Sequence, residues 1–225
     1  MTAHLPLEIF VKTSDIWQRD KFNDPNAFSY LGKSLGSLLE GILDEIGVKD
    51  VPLIDGSVHS GAYITGRVYI AKGAIVEPTA MIQGPCIIGP GAEVRHGAYI
   101  RGCVFAGAGA VIGHSTEVKG SVFFDGAKAG HLSYVGDSIL GSGVNLGAGT
   151  KLANLKLKGD EIRFKHPETQ LPTPSGFRKF GSILGDYAQT GCNAVLSPGS
   201  LLLPETAVMS CVHFRGTLLK GYALK

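Results

Sequence analysis

The most constraining feature of this sequence is an aliphatic side chain at every sixth position from Val58 to Val118. The positions are Val58, Ile64, Ile70, Val76, Ile82, Ile88, Val94, Ile100, Ala106, Ile112 and Val118. Four residues after each of them a small or β-branched residue recurs. A six-residue period fits neither a helix nor a hairpin sheet. It predicts one short strand and one turn per unit, with three units closing a triangular coil and coils stacked about 4.8 Å apart.

The period slips between Val118 and Val122. It then resumes through a second series: Val122, Lys128, Tyr134, Leu140, Leu146, Leu152, and later Leu184, Thr190, Leu196, Leu202 and Val208. In this series the polar Lys128 and the bulky Tyr134 occupy repeat positions. We therefore expect a functional site, rather than regular packing, in this part of the solenoid.

Composition narrows the class of protein. The chain has 225 residues, 32 glycines, 44% hydrophobic residues and a net charge of +2, which argue for a folded chain and against a nucleic-acid partner. We expect no membrane span, because no apolar stretch reaches about 18 residues. The start of the chain carries Glu8 and lacks a basic segment, so it does not predict a signal peptide. Four scattered cysteines predict free thiols and a cytoplasmic protein.

Two segments lie outside the repeat. Residues 1–55 predict a helical segment that caps one end of a solenoid formed by residues 56–225. Asp24-Pro25 predicts the start of the helix. Its apolar stripe contains Leu31, Leu35, Leu38, Leu39, Ile42, Leu43 and Ile46. Residues 156–178, with three prolines and several charges, predict an extended loop that reaches over a site or a neighbouring subunit.

His131 is the histidine that we single out among seven, because it lies where the repeat is broken. It belongs to the run KAGHLSYVGD at 128–137, which is followed by VNLGAGT at 144–150. This combination resembles the acetyltransferase domain of the bifunctional enzymes that acetylate glucosamine 1-phosphate and then uridylylate it. The resemblance extends over residues 58–214 as a repeat, and it is close over 117–154 and 179–198.

The resemblance implies a left-handed parallel β-helix, an all-β fold built from hexapeptide repeats, with a short α-helical N-terminal segment. It further implies acetyl-CoA as co-substrate, an amino-sugar phosphate as acceptor, a homotrimer and no metal. His131 matches the family's catalytic base and Asn154 a residue that supports catalysis. The positions that match sugar-phosphate ligands are Arg101, Lys119, Tyr134, Asn145 and Lys179. Those that match cofactor contacts are Ala148, Cys192 and Ser210, although the last two differ in residue type.

The residues fit this chemistry independently of the resemblance. A histidine, whose ordinary pKa is about 6.5, can take a proton from an attacking amine near neutral pH. Backbone N–H groups of Gly147, Ala148 and Gly149 are candidates for stabilising the oxyanion. Arg101 and Lys119 are separated by three hexads, so they stack on one side of the solenoid and suit a phosphate.

Departures from the family keep other interpretations open. Leu155 stands where the family has tyrosine, and the segment 156–178 is longer than the family's connection. No Gly-rich nucleotide loop precedes the repeat, so we expect no uridylyltransferase activity and a possible separate nucleotidyltransferase partner. One alternative is a non-catalytic β-helix scaffold or regulatory subunit in sugar-nucleotide metabolism. Another is a different reaction on the same fold, with a longer acyl chain or with zinc at His114 and His131, for which the chain offers no convincing third ligand.

Overall fold

The computed structural model describes residues 4–224, apart from the side chain of Asp15. Three parallel sheets wind into a solenoid, and we call them the first, second and third faces in the order in which each coil visits them. The first face contains nine strands: Leu53–Ile54, Val68–Ile70, Cys86–Ile88, Val104–Ala106, Ser121–Phe123, Ile139–Leu140, Ser182–Leu184, Ser200–Leu202 and Thr217–Leu218. The predicted parallel β-helix is confirmed.

The other two faces complete each coil. The second face contains nine strands: Ser57–Val58, Ile75–Val76, Glu93–Val94, Val111–His114, Lys128–His131, Asn145–Leu146, Gln189–Thr190, Ala207–Val208 and Tyr222–Ala223. The third face contains eight strands: Tyr63–Thr65, Met81–Gln83, Tyr99–Arg101, Glu117–Lys119, Tyr134–Gly136, Lys151–Leu152, Val195–Leu196 and His213–Phe214. Each strand pairs with its counterpart one coil away, as Val104 does with Cys86 and Ser121.

The inward side chains follow the predicted period up to Val118 and then depart from it. Phe123, Ala129 and Val135 enter the core, whereas Lys128 is exposed and Tyr134 is half-buried outside it. The prediction of Val122, Lys128 and Tyr134 at inward repeat positions is therefore wrong. The physical reason is that the spacing between inward residues shortens to five at the corner after Val118, which moves the next strands by one residue.

The N-terminal segment contains one α-helix, α1 (Gly32–Ile46), whose buried residues Leu35, Leu39, Ile42 and Leu43 confirm the predicted stripe. The remainder forms 3₁₀ turns at Leu7–Ile9, Thr13–Asp15, Arg19–Lys21 and Ala27–Tyr30. The predicted helix start at Asp24-Pro25 is wrong. Asn26 instead caps the turn Ala27–Tyr30, because its side chain accepts a hydrogen bond from the Phe28 N–H at 3.3 Å.

This segment covers a side of the solenoid, not its end as the sequence predicted. Its apolar residues pack in one core cluster with outward side chains of the first face, among them Ile87, Phe105 and Val122. The segment lies there because burying the apolar outer side of the first face removes it from water, which is favourable. Tyr63, on the first coil, stays 62% exposed.

The predicted loop at 156–178 contains an antiparallel hairpin, Arg163–Lys165 with Pro172–Pro174. Its Phe164 is buried and lies 5.4 Å, centroid to centroid, from Phe28 of the N-terminal segment. Phe177 and Phe180 contact the same ring at 5.7 and 5.5 Å. The hairpin therefore belongs to the layer that covers the first face.

Two properties of the described part of the chain bear on function. None of its helices has the length and apolar character needed to cross a bilayer. Its cysteines, Cys86, Cys103, Cys192 and Cys211, are free thiols.

Candidate functional site

The structure places most of the predicted site residues along two edges of the third face. The corner between the second and third faces, which we call the histidine edge, holds His131, Ala148, Cys192 and Ser210. The corner between the third and first faces, which we call the cation edge, holds Arg101, Lys119, Asn154 and Lys179. The strands of the third face separate these two edges.

Backbone hydrogen bonds between successive coils align the histidine edge. The Gly149 N–H donates to the His131 carbonyl at 3.0 Å, and the Asn193 N–H donates to the Ala148 carbonyl at 2.8 Å. One coil further, the Cys211 N–H donates to the Cys192 carbonyl at 2.8 Å. The general base and the cofactor contacts implied by the resemblance therefore form one row along the solenoid.

The imidazole of His131 is exposed, and within residues 4–224 it makes no hydrogen bond. Its strand pairs with the preceding coil so that His131 aligns with His114. The ring of His114 stacks on His96 instead, with centroids 4.5 Å apart. The His131 ring nitrogens thus remain available to a ligand.

The oxyanion donors that the sequence suggested are mostly occupied. The Gly147 N–H donates to the Thr190 carbonyl at 2.8 Å, and the Gly149 N–H is bonded to His131. In the part of the chain that the structure describes, the Ala148 N–H has no acceptor. Of the three predicted donors, Ala148 is therefore the one that can meet a developing negative charge.

A polar network links the cation edge to the third face. The Lys119 ammonium donates to both carboxylate oxygens of Asp137, at 2.9 and 3.0 Å. The side-chain amide N–H of Asn154 donates to the same carboxylate, and the Tyr134 hydroxyl donates to the side-chain oxygen Oδ1 of Asn154 at 3.3 Å. The Asp137 side chain is 9% exposed and neutralises the Lys119 ammonium. The structure therefore brings Lys119, Tyr134 and Asn154 together.

Asp137 belongs to this polar network, although it was not predicted from the sequence. It ends the quoted run KAGHLSYVGD, so its place in that motif was the available signal. Burial raises the pKa of Tyr134, and the nearby Asp137 and Glu117 carboxylates raise it further. The phenol therefore stays protonated near neutral pH and donates to Asn154.

Arg101 lies one coil before Lys119, as predicted, because Ile100 pairs with Val118. Its guanidinium donates to Glu117 at 2.6 Å, and this hydrogen bond raises the pKa of Arg101. Lys179 follows the hairpin in sequence and lies near Asn154, because the N–H of the next residue, Phe180, donates to the backbone carbonyl of Asn154 at 3.0 Å. The two predicted phosphate ligands Arg101 and Lys119 thus each already have a carboxylate partner.

Asn145 does not join this group within the chain. It lies exposed on the second face, where it pairs with Lys128 and Gln189. Residues 4–224 contain no group of three His, Cys, Asp or Glu side chains that is arranged to hold a metal ion. The candidate site is therefore an exposed histidine and a free N–H group at one edge of the third face, with a satisfied polar network that extends to the other edge.

Comparisons with known proteins give the family. A family model described as the GMPPB C-terminal domain matches residues 82–218. A bifunctional sugar-1-phosphate nucleotidylyltransferase/acetyltransferase of Sulfurisphaera tokodaii is 41% identical over 75 residues, which are 33% of this chain and 18% of that protein. Bifunctional protein GlmU of Methanococcus maripaludis strain S2 is 37% identical over 151 residues, which are 67% of this chain and 36% of that protein.

The chain thus matches only a minor part of the length of these curated relatives. Among solved structures, the acetyltransferase domain of PglB from Neisseria gonorrhoeae superposes with a TM-score of 0.39 at 14% identity, covering 80% of this chain and 60% of that one. The resemblance to bifunctional proteins of the GlmU type is confirmed. Because the family match spans more than half of the chain and contains both edges of the third face, the protein belongs to the GMPPB C-terminal domain family.

Proposed function

We propose that this protein is an acetyl-CoA-dependent N-acetyltransferase that acts on an amino-sugar phosphate such as glucosamine 1-phosphate. The observation that carries the proposal is the exposed His131 at one edge of the third face, next to the strand that contributes Tyr134 to the Tyr134–Asn154–Asp137–Lys119 network. Similarity to relatives named as acetyltransferases supports it. The reaction joins an acetyl group to the sugar's amine.

His131 acts as the general base. An amine attacks a carbonyl only as its neutral form, so a group must accept the proton that the amine loses. The exposed ring nitrogens of His131 form no hydrogen bond within the described residues, so they are free to accept it. Acetyl-CoA supplies the acetyl group as a thioester, and the proton held by His131 is then returned to the departing thiolate.

The backbone at Ala148 and the exposed residues after it fit the co-substrate. The free Ala148 N–H lies one coil from His131 and suits the negative oxygen of the tetrahedral intermediate. Cys192 and Ser210 are exposed further along the histidine edge, where an extended molecule meets one residue per coil. These three residues therefore hold the acetyl-CoA in our proposal.

The cation edge binds and orients the acceptor. Asn154 keeps a fixed orientation between Tyr134 and Asp137, so it positions the sugar rather than moving a proton. Lys179, which forms no ion pair within the described residues, is available to a phosphate. Arg101 and Lys119 lie at the same edge, but Glu117 and Asp137 already neutralise their charges. Asn145 completes the site from a neighbouring subunit of a homotrimer.

Thiol release from acetyl-CoA, with glucosamine 1-phosphate as acceptor, tests the proposal. We expect His131→Ala to lower kcat by about 100-fold or more, because general base catalysis contributes that much. His59→Ala is the matched control, since His59 is an exposed histidine at the same edge of the first coil, and it should leave kcat unchanged.

Unchanged turnover in His131→Ala would contradict the mechanism. A wild-type protein that neither turns over nor binds acetyl-CoA in a calorimeter would point to the scaffold function instead.

A further inference from the structure

A basic cleft lies between the hairpin and the last coils, outside the network described above. We call it the hairpin cleft and define it by its cationic side chains, Lys156, Lys158, Arg163, Lys165 and Arg215. We propose that it binds the nucleoside diphosphate part of the acceptor, so that the substrate is an amino sugar attached to a nucleotide. This inference rests on the proposed acetyltransferase function and narrows its acceptor from amino-sugar phosphates in general to those that carry a nucleotide.

The charge of the hairpin cleft calls for an anion. Asp160 is the one carboxylate among its lining residues, and it pairs with Lys156 at 3.4 Å. Over residues 4–224, Lys158, Lys165 and Arg215 form no ion pair. Like charges that converge on one cleft repel each other until a polyanion neutralises them. A diphosphate supplies that charge in a small volume.

The size and the rim of the hairpin cleft fit more than a phosphate. Its two lobes have volumes of about 590 and 340 Å³ and share Lys156, Arg163, Pro198 and Arg215. Cavities of this size hold drug-sized or nucleotide-sized ligands. Leu155 and Leu157 lie on the rim and are 47% and fully exposed. Apolar side chains next to a cationic floor suit a base and a diphosphate together.

The hairpin cleft lies beside the residues proposed to bind the acceptor and away from those proposed to bind acetyl-CoA. Leu155 directly follows Asn154, and the Ala153 N–H donates to the Leu196 carbonyl of the next coil, just before Ser197 and Pro198 of the cleft. Arg215 lies one coil beyond, so the cleft begins beside Asn154 and extends about 10 Å along the axis. The row proposed for acetyl-CoA lies on the opposite edge of the third face.

The hairpin itself provides the specificity for an acceptor that carries a nucleotide. Arg163 and Lys165 lie on its first strand, and Arg163 is fixed by donating to the Pro172 carbonyl of the second strand at 2.8 Å. A shorter connection between residues 154 and 180 would lack both cations. Arg101 and Lys119 are already paired with carboxylates, which leaves the hairpin cleft as the denser set of unneutralised cations.

Calorimetric titration with UDP tests the binding without requiring catalysis. We expect wild-type protein to bind UDP, and the double substitution Lys158→Gln/Arg215→Gln to weaken that binding about tenfold or more. Lys49→Gln/Lys72→Gln removes the same charge from exposed lysines outside the cleft and should bind UDP as wild type does. The absence of UDP binding at millimolar concentration, or equal binding by the cleft variant, would overturn the proposal.

Steady-state kinetics then assign the ligand. With UDP-glucosamine as acceptor, the cleft variant should raise the acceptor's KM about tenfold while kcat and the KM for acetyl-CoA stay unchanged. A rise in the KM for acetyl-CoA alone would overturn the assignment, because the cleft would then serve the co-substrate. UDP binding without any acetyl transfer would keep the nucleotide site and reject the proposed function, so the two failures are distinguishable.

Discussion

At the scale of single residues, the absence of a side chain at Gly136 sets the geometry of the polar network. A Cβ atom there would lie 2.6 Å from the Asn154 amide nitrogen and 2.7 Å from the Tyr134 hydroxyl. Neither distance is compatible with ordinary van der Waals contact. The position where Tyr134 meets Asn154 therefore depends on glycine in the strand Tyr134–Gly136.

We expect Gly136→Ala to lower kcat/KM for the acceptor at least tenfold, because an alanine methyl must push Asn154 away from Asp137. Thermal unfolding should change by only a few degrees, since the displaced atoms are side-chain ends. Both quantities are measured on the purified variant. Gly41→Ala, whose Cβ would meet nothing within 4 Å, is the control for adding a methyl group. An unchanged kcat/KM in Gly136→Ala would show that the network does not orient the acceptor.

Part of this candidate site can be predicted from the sequence. The resemblance implies roles for His131 and Asn154, which stay predictions, whereas the placement of Arg101 and Lys119 on successive coils by the hexad spacing is confirmed. Asp137 and the occupied N–H groups of Gly147 and Gly149 were not identified, because hydrogen-bond partners on other coils depend on register. Register changes at the corners, where the spacing drops from six residues to five after Val118 and again after Val135.

At the scale of elements, the first face is the part of the solenoid whose outer side the hexad period does not describe. The hexad period reports inward side chains, whereas the outward residues Ile87, Phe105 and Val122 decide that this face is covered. Two separate segments cover it: one precedes the repeat, and the other is inserted into the repeat between Asn154 and Phe180. The spacing of residues along the chain does not predict which surface of the solenoid these segments pack against. Apolar residues on both sides of a strand do indicate that its face is buried.

Phe28 joins the two covering segments, so its truncation tests whether they form one layer. The ring is 4% exposed and contacts Phe164, Phe177 and Phe180. We expect Phe28→Ala to reduce the free energy of unfolding by about 3–5 kcal/mol, the usual result of removing a buried aromatic ring. Denaturant unfolding followed by circular dichroism measures it. Leu171→Ala, at an exposed leucine of the hairpin, should cost less than about 0.5 kcal/mol.

A small loss in Phe28→Ala would mean that the hairpin is held by the solenoid alone. The same variant also tests whether this packing supports UDP binding. Because the hairpin carries Arg163 and Lys165, loosening it should also weaken UDP binding, whereas Leu171→Ala should not. The free energy of unfolding and the affinity for UDP would then decrease together, because both depend on the same layer of packed side chains.

At the scale of the whole molecule, the residues of the candidate site do not all converge within one chain. His131 and the polar network adjoin the third face, whereas Asn145 is exposed on the second face. A single flat face of the solenoid also offers little enclosure for a bound substrate. Both features favour sites formed where the second face of one subunit meets the third face of the next, as in a closed ring of three.

Mixed oligomers test this arrangement directly. We expect light scattering to give three times the chain mass of 23.6 kDa, and His131→Ala and Asn145→Ala to be defective when each is purified alone. If a site takes His131 from one subunit and Asn145 from its neighbour, co-expression of the two variants in equal amounts regenerates about one quarter of the sites. Activity near that fraction of wild type would establish shared sites. A trimer without any recovery would place both residues of a site in the same chain, and a monomer at micromolar concentration would contradict the ring itself.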